Sequence, residues 1–274
     1  MAWLKTLLGK VSMIGRGTLL ERRRDDYGTL RITEDSAGYR YLYFGEITEQ
    51  SSVFIADPAW LKYIYVRAML LGTYWVGPRP EMTLLGLGGG ALANCLVKHF
   101  EPERVNVVEL RAEVLALARK WLGLSDDPRL QFKIGCADQY IGNAPASCDL
   151  LFVDLYMEGG LSRLQLQADF FLKCQQALRP GGVLVINQWQ MGETGLPYAA
   201  TMLVELFGDQ ILQVLVKEGN VILFIPAAGE PPLTMDRPAM RAWAAAMQDD
   251  LGYPLQPYIN NLQRVGDLLA VLDT

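Results

Sequence analysis

Residues 82–109 constrain the fold more than any other stretch: MTLLGLGGGALANCLVKHFEPERVNVVE. An apolar strand at 83–85 runs into Gly86, Gly88, Gly89 and Gly90. A helix at 91–100 follows, then a strand carrying Val105, Val107 and Val108, with Glu109 at its tip. Glycines let the backbone turn sharply and approach a ligand with no Cβ in the way. The free N–H groups and positive dipole end of the following helix face that ligand. An acid about 20 residues beyond the glycines can accept hydrogen bonds from a ribose diol. The spacing Gly86-x-Gly88-x-x-Ala91 also fits a dinucleotide, so this stretch alone indicates a nucleoside ligand without choosing one.

From residue 81 onward strand and helix alternate, the pattern of a parallel sheet covered on both faces. Strands are expected at 130–134, 149–154 and 183–187, and helices at 111–122, 163–178 and 196–207. Arg179-Pro180-Gly181-Gly182 reads as a helix stop. The segments 210–216 and 221–226, joined by Lys217-Glu218-Gly219-Asn220, read as an antiparallel hairpin. Residues 237–251 and 258–272 read as two terminal helices outside the main sheet.

The start of the chain differs. Runs of aromatic and β-branched residues at 28–34, 39–44 and 52–55 read as a small antiparallel β-unit. Arg22-Arg23-Arg24 followed by Asp25-Asp26 reads as a solvated loop or strand edge. Asp57-Pro58 is expected to cap a helix over 59–71. The divisions are therefore a segment at 1–19 with the look of a short amphipathic helix, a β-unit at 20–56, a main α/β domain at 57–226 and a helical extension at 227–274.

Composition excludes several classes. With 51% hydrophobic and 20% charged residues the 274-residue chain can bury a large core. A net charge of −5 gives no reason to expect nucleic acid. No apolar run reaches the roughly 18 residues of a membrane span. Cys95, Cys136, Cys148 and Cys174 are scattered, with no metal-ligand spacing, so no metal is expected. Reduced thiols and a cytoplasmic location follow as the default. His99, the one histidine, falls at a helix end and reads as a partner of the helix dipole.

Ligands of open α/β sheets bind outside the carboxyl ends of the strands. The polar residues at those tips are Gly86, Gly88, Gly89 and Gly90, then Glu109, Asp138, Asp154, and Asn187 with Gln188. Glycines with three acids suit an adenosyl sulfonium compound. Glu109 takes the ribose hydroxyls, Asp138 accepts from the adenine amino group, and Asp154 lies at the reactive end. The acids favour the sulfonium charge. Tyr156-Met157-Glu158-Gly159-Gly160 after Asp154 reads as a lid hinged on its glycines, and Trp189 is a candidate pocket wall.

These motifs carry a resemblance. The element order with its closing hairpin is similar to the class I S-adenosylmethionine-dependent methyltransferases. Within them, residues 20–226 resemble the spermidine synthase family, through Leu87-Gly88-Gly89-Gly90, Val107-Val108-Glu109-Leu110, Gly135-Cys136-Ala137-Asp138 and Leu151-Phe152-Val153-Asp154. The resemblance implies a Rossmann-like, mostly parallel sheet of seven strands with a terminal antiparallel hairpin, preceded by the small β-unit. It implies that Glu109 and Leu110 hold the ribose, Asp138 the adenine and Gln50 the nucleoside, with Asp154 beside the donor and the attacking amine. Tyr65 and Tyr156 would assist Asp154. The donor would be S-adenosylmethionine or its decarboxylated form, the acceptor a small amine, and the assembly a homodimer through the β-unit. The chain departs from the pattern at Ala91-Leu92, Arg67 and Met157, where the family carries acidic or amine-binding residues. Arg67 would repel a polyamine, which leaves methyl transfer or a smaller acceptor open. A nicotinamide-dependent oxidoreductase and a non-catalytic nucleoside-binding protein are the alternatives.

Overall fold

The structure, a computed structural model, describes residues 17–265. The helix expected at the start of the chain and the last residues of the expected second terminal helix lie outside them. Four strands, β1 (Thr18–Asp25), β2 (Gly28–Glu34), β3 (Tyr39–Phe44) and β4 (Thr48–Phe54), form an antiparallel meander. A short helix, α1 (Ile64–Met69), continues as a 3-10 turn, Leu70–Tyr74. The main sheet then opens with β5 (Glu81–Leu85), α2 (Ala91–His99), β6 (Arg104–Glu109), α3 (Ala112–Trp121) and β7 (Leu130–Ile134).

Next come α4 (Ala137–Gly142), β8 (Cys148–Val153) and a small hairpin, β9 (Tyr156–Met157) with β10 (Gly160–Leu161). After them follow α5 (Ala168–Gln176), β11 (Leu178–Trp189), α6 (Ala200–Phe207), β12 (Leu212–Val216) and β13 (Asn220–Pro226). The chain ends with α7 (Arg237–Leu251), α8 (Gln256–Asn260) and β14 (Leu262–Arg264).

The main sheet has the order β14-β12-β13-β11-β8-β5-β6-β7. Strands β11, β8, β5, β6 and β7 are parallel, while β13 and β14 run antiparallel to their neighbours. Chain order reverses between β5 and β8, so the crevice of an open α/β sheet falls at their tips. Successive residues of these strands point to opposite faces, and both faces are apolar. Leu84, Val107, Leu150 and Val185 pack with α1, α2, α3, α7 and the N-terminal meander. Leu85, Val108, Leu151 and Leu184 pack with α4, α5 and α6.

The expected alternation is therefore present, with differences at the ends. The sheet has eight strands rather than seven, because residues 262–264 pair with β12 (Leu212 with Arg264, Val214 with Leu262) instead of continuing a helix. An unpaired β12 edge would leave a row of backbone groups without partners. Arg264 fixes the added strand, donating to the carbonyls of Asp209 and Leu233, each at 3.0 Å.

The helix expected over 59–71 starts later, at Ile64. Asp57 makes a local turn and an ion pair with Lys98, Nζ to Oδ1 2.9 Å. The carboxylate of Glu218 accepts instead from the N–H groups of Ile64 and Tyr65, at 3.2 and 3.1 Å. This cap comes from the β12–β13 turn, far along the chain. The Arg179-Pro180-Gly181-Gly182 stop sits inside β11 as a register shift between Leu178 and Val183.

The basic run near the N-terminus lies on β1, the edge strand of the meander, as one of the two expected readings has it, and the acid after it docks the meander. Asp25 at the end of β1 receives Arg111 Nε at 2.9 Å and Nη2 at 2.7 Å, and Arg111 also donates to the Gly28 carbonyl at 3.0 Å. The guanidinium lies 4.6 Å from the Phe44 ring centre, and only 3% of the Arg111 side chain is exposed. Removing one partner of a buried pair strands the other charge away from water. Asp25→Asn is expected to lower the unfolding free energy by about 3 kcal/mol in urea titrations. An unchanged midpoint would show that Arg111 does not anchor the meander.

Candidate functional site

Strand tips and two neighbouring elements build the site. At the end of β5 the chain turns at Gly86, whose φ is +96°. A Cβ there would stand 2.3 Å from the Asp154 carbonyl oxygen, so only glycine lets the tips of β5 and β8 lie this close. The next glycines meet protein rather than open space. A Cβ on Gly88 would meet Ser51 Oγ at 2.5 Å, and one on Gly89 would meet Val53 at 2.9 Å. The Gly89 N–H donates to Ser51 Oγ at 2.8 Å. Gly90, at φ +84°, starts α2 against Leu124. The glycines thus seat β4 on the loop, a requirement that the sequence motif did not reveal.

Glu109 ends β6 and is 7% exposed. Its carboxylate accepts from the Leu87 N–H at 3.0 Å and the Arg111 N–H at 2.8 Å, and the Leu110 N–H also favours the charged form. Burial nevertheless raises its pKa. Three N–H groups on a carboxylate with four acceptor positions leave it able to accept a further hydroxyl. Asp138 stands apart in the first turn of α4. Lys173 on α5 holds one of its oxygens at 2.7 Å, and among the described residues no hydrogen bond links it to Glu109 or Asp154. Its second oxygen has no hydrogen bond among the described residues.

Asp154 follows β8 and is partly buried. Burial raises its carboxyl to about 6, opposed by a hydrogen bond from Asn187 Nδ2 to Oδ1 at 2.8 Å. Two phenols face it. Tyr65 on α1 and Tyr156 on β9 are both raised well above the usual value, first by burial and then by the Asp154 charge. The charges of Glu218, which also accepts from the Tyr65 N–H, and of Glu49 push the Tyr65 phenol the same way. Tyr65 stacks on Tyr63, whose hydroxyl is bonded to Glu49. Tyr65, Tyr156 and Asp154 are therefore brought together.

The glycine-bearing segment after Asp154 is the β9–β10 hairpin. It lies between Trp189, whose ring centre is 5.5 Å from that of Tyr156, and the meander, where Thr48 donates to the Glu158 carbonyl at 3.3 Å. Gln50 Nε2 approaches the Met157 carbonyl at 3.5 Å, so it touches the hairpin near the pocket. A Cβ on Gly160 would meet the Trp189 ring at 2.4 Å, which makes that glycine a packing requirement.

Two readings change. Gln188 turns away from the pocket and bonds the buried Gln165, with Nε2 3.2 Å from its carbonyl, because alternate residues of β11 face opposite sides. Arg67 does not face Asp154. Its guanidinium lies 4.8 Å from the Trp60 ring centre and 4.2 Å from that of Tyr253, and Nε donates to the Leu61 carbonyl at 2.7 Å. On a helix, residues two apart point to different sides. Tyr65 therefore faces the site while Arg67 faces the C-terminal extension. Glu49 and Glu218 are the acids that sequence reasoning missed, since each reaches the site from a turn or strand distant in sequence.

Residues 77–204 match the family model for the spermine/spermidine synthase domain. Over that stretch the chain is similar to the spermine/spermidine synthase domain. A polyamine aminopropyltransferase of Chromobacterium violaceum is 28% identical over 250 residues, covering 88% of this chain and 92% of that one. A crystal structure of a probable spermidine synthase from Corynebacterium glutamicum superposes with a TM-score of 0.69 at 19% identity, covering 94% of both chains. Human methyltransferase-like protein 13, solved with SAH, gives 0.57 at 24% identity over 69% of this chain and 93% of that one. At these identities the two structures speak for the fold, which the synthase domain shares with a methyltransferase.

Desolvation of Asp154 has a measurable consequence. Its carboxyl titrates near 6 when folded and near 3.9 when unfolded. The folded state therefore holds the proton more tightly, and ionised Asp154 opposes folding at neutral pH. Asp154→Asn is expected to raise stability at pH 7.5 by about 1–3 kcal/mol, an advantage that shrinks from pH 6 downward and is gone near pH 4. Urea unfolding at both pH values reads it; an equal effect at both would mean that the carboxylate is not desolvated.

Proposed function

We propose that this chain is an aminopropyltransferase that uses decarboxylated S-adenosylmethionine as donor and a small amine as acceptor. The observation that carries the reading is the setting of Asp154: a recessed carboxylate beside the donor-side glycine loop, faced by two neutral phenols. Asp154 is joined around Tyr65 by the acidic Glu49 and Glu218. Arg67, the cation expected to repel an amine, is held against Trp60 and Tyr253 instead. An acid-lined wall favours a positively charged or hydrogen-bond-donating acceptor over a carboxylate or phosphate.

Glu109 and Leu110 would bind the ribose, Asp138 and Gln50 the rest of the nucleoside, and Gly86, Gly88, Gly89 and Gly90 shape the floor beneath it. Asp154 would accept an N–H hydrogen bond from the neutral acceptor nitrogen and so aim its lone pair. That nitrogen attacks the aminopropyl carbon bonded to the sulfonium. A C–N bond forms as the C–S bond breaks, and the electron pair leaves with sulfur as neutral methylthioadenosine. The negative carboxylate stabilises the ammonium that develops, and the proton passes by way of Asp154 to water. Tyr65 and Tyr156 stay protonated; the Tyr65 O–H can donate to Asp154 or the acceptor, while that of Tyr156 is held by the Asn187 carbonyl. The β9–β10 hairpin excludes water from the reacting atoms. Most of the rate enhancement comes from positioning.

The reading is tested by incubating the purified protein with decarboxylated S-adenosylmethionine and a panel of mono- and diamines, then with S-adenosylmethionine and the same panel. The expected result is methylthioadenosine in equal amount to an aminopropylated amine, with loss of turnover below pH 6 as Asp154 protonates. Release of S-adenosylhomocysteine from S-adenosylmethionine would replace aminopropyl by methyl transfer. No product from either donor, with methylthioadenosine still bound, would make the chain a binding protein.

A further inference from the structure

Asn187 and Asn220 form a directed chain of amides that ends on Asp154. Asn220 Nδ2 donates to Asn187 Oδ1 at 2.8 Å, and Asn187 Nδ2 donates to Asp154 Oδ1 at 2.8 Å. Both asparagines are buried, 6% and 1% exposed. They sit on the paired strands β13 and β11, near the point where Asn220 stands opposite Trp189. The Tyr156 hydroxyl closes the group from the hairpin side, donating to the Asn187 carbonyl at 3.4 Å.

An amide has an accepting end and a donating end, and a neighbour decides which way it points. The ionised Asp154 carboxylate can only accept, so Asn187 presents its NH2 there and its oxygen to the NH2 of Asn220, which holds it in that sense. One oxygen of Asp154 is thereby fixed as an acceptor of a protein hydrogen bond, and Oδ2 is left toward the pocket. We propose that Asn187, oriented by Asn220, is the positioning residue that sets the rotamer of Asp154 and the oxygen it offers to the acceptor nitrogen. The inference rests on the transferase reading for its catalytic meaning, but the effect on Asp154 exists with or without turnover.

The groups facing Asp154 are few. Tyr65 comes from α1 and Tyr156 from β9, both neutral, with the charges of Glu218 and Glu49 also acting on Tyr65. The Asn187 amide is the one group bonded to the Asp154 side chain among the described residues. A hydrogen bond donated to a carboxylate favours its charged form. Losing the amide therefore raises the Asp154 pKa.

Two variants separate this from a packing role. Asn187→Leu keeps the volume and removes the donor. Asn220→Asp keeps the shape but offers acceptors, so Asn187 is driven to reverse its amide and point oxygen at Asp154. The primary readout is the titration of the Asp154 carboxyl carbon by NMR in the ligand-free protein, which needs no substrate. Asn187→Leu is expected to raise the midpoint by about one pH unit, and Asn220→Asp to raise it at least as far. Asn220→Ala, which leaves Asn187 unconstrained, is expected to fall between the wild type and Asn187→Leu. In turnover assays the acid limb of kcat/KM would move with the same midpoint, kcat would fall about ten-fold or more, and methylthioadenosine affinity would not change. An unmoved Asp154 midpoint in folded Asn187→Leu and Asn220→Asp proteins overturns the proposal. A moved midpoint in a protein that turns over no donor sustains the relay and rejects the transferase reading.

Discussion

The close approach of Gly86 to the Asp154 carbonyl is the constraint on which the site depends. Parallel strands β5 and β8 are neighbours at the point where chain order reverses, and the Asp154 N–H donates to the Leu85 carbonyl at 3.0 Å. That register leaves no room for a side chain at residue 86. It brings the loop that would hold a nucleoside against the carboxylate that would face its reactive end. The glycine loop and the Asp154 carboxylate are adjacent because two backbones touch, not because a flexible arm brings them together.

Everything around this point holds it in place. The N-terminal meander lies over the glycine loop through Ser51 and Gly89, and Arg111, two residues beyond Glu109, holds Asp25 at the end of β1. From the other side, Glu218 caps the helix that carries Tyr65. Gln165 donates from Nε2 to the Leu155 carbonyl at 2.9 Å and accepts from Gln188, which steadies the loop after Asp154. These polar groups are buried and bonded, as the low-dielectric interior requires. Their shared effect is a fixed setting in which the Asp154 carboxylate is desolvated without being neutralised by a cation.

The sheet and its tips were legible because their signals are local. Apolar runs and intervening helices repeat along residues 81–226, with acids at three of the tips, and strand alternation assigns each side chain a face. Asp154, Glu109, Tyr65 and Tyr156 stand where that reasoning put them in the chain, and three of these four meet around one recess. What escaped was set by contacts distant in sequence. Asp25 looked like part of a solvated charge run, since nothing near it shows that Arg111 will bury against it. The start of α1 is fixed by Glu218, which no local capping pattern can show. Arg67 and Tyr65 differ by two positions, and the two-residue shift in facing removes the cation from the site. Residues 262–264 form a strand because β12 offers an edge, a preference absent from their own composition.

The central claim is that one recess joins a nucleoside held by Glu109 to an amine held by Asp154. A crystal structure with methylthioadenosine and a diamine bound together tests it most directly. The account predicts the ribose hydroxyls on the Glu109 carboxylate, the thioether beside the Asp154 loop, and an amine nitrogen within hydrogen-bonding distance of Asp154 Oδ2. A nucleoside seated away from Glu109, or an amine bound with no contact to Asp154, would contradict it.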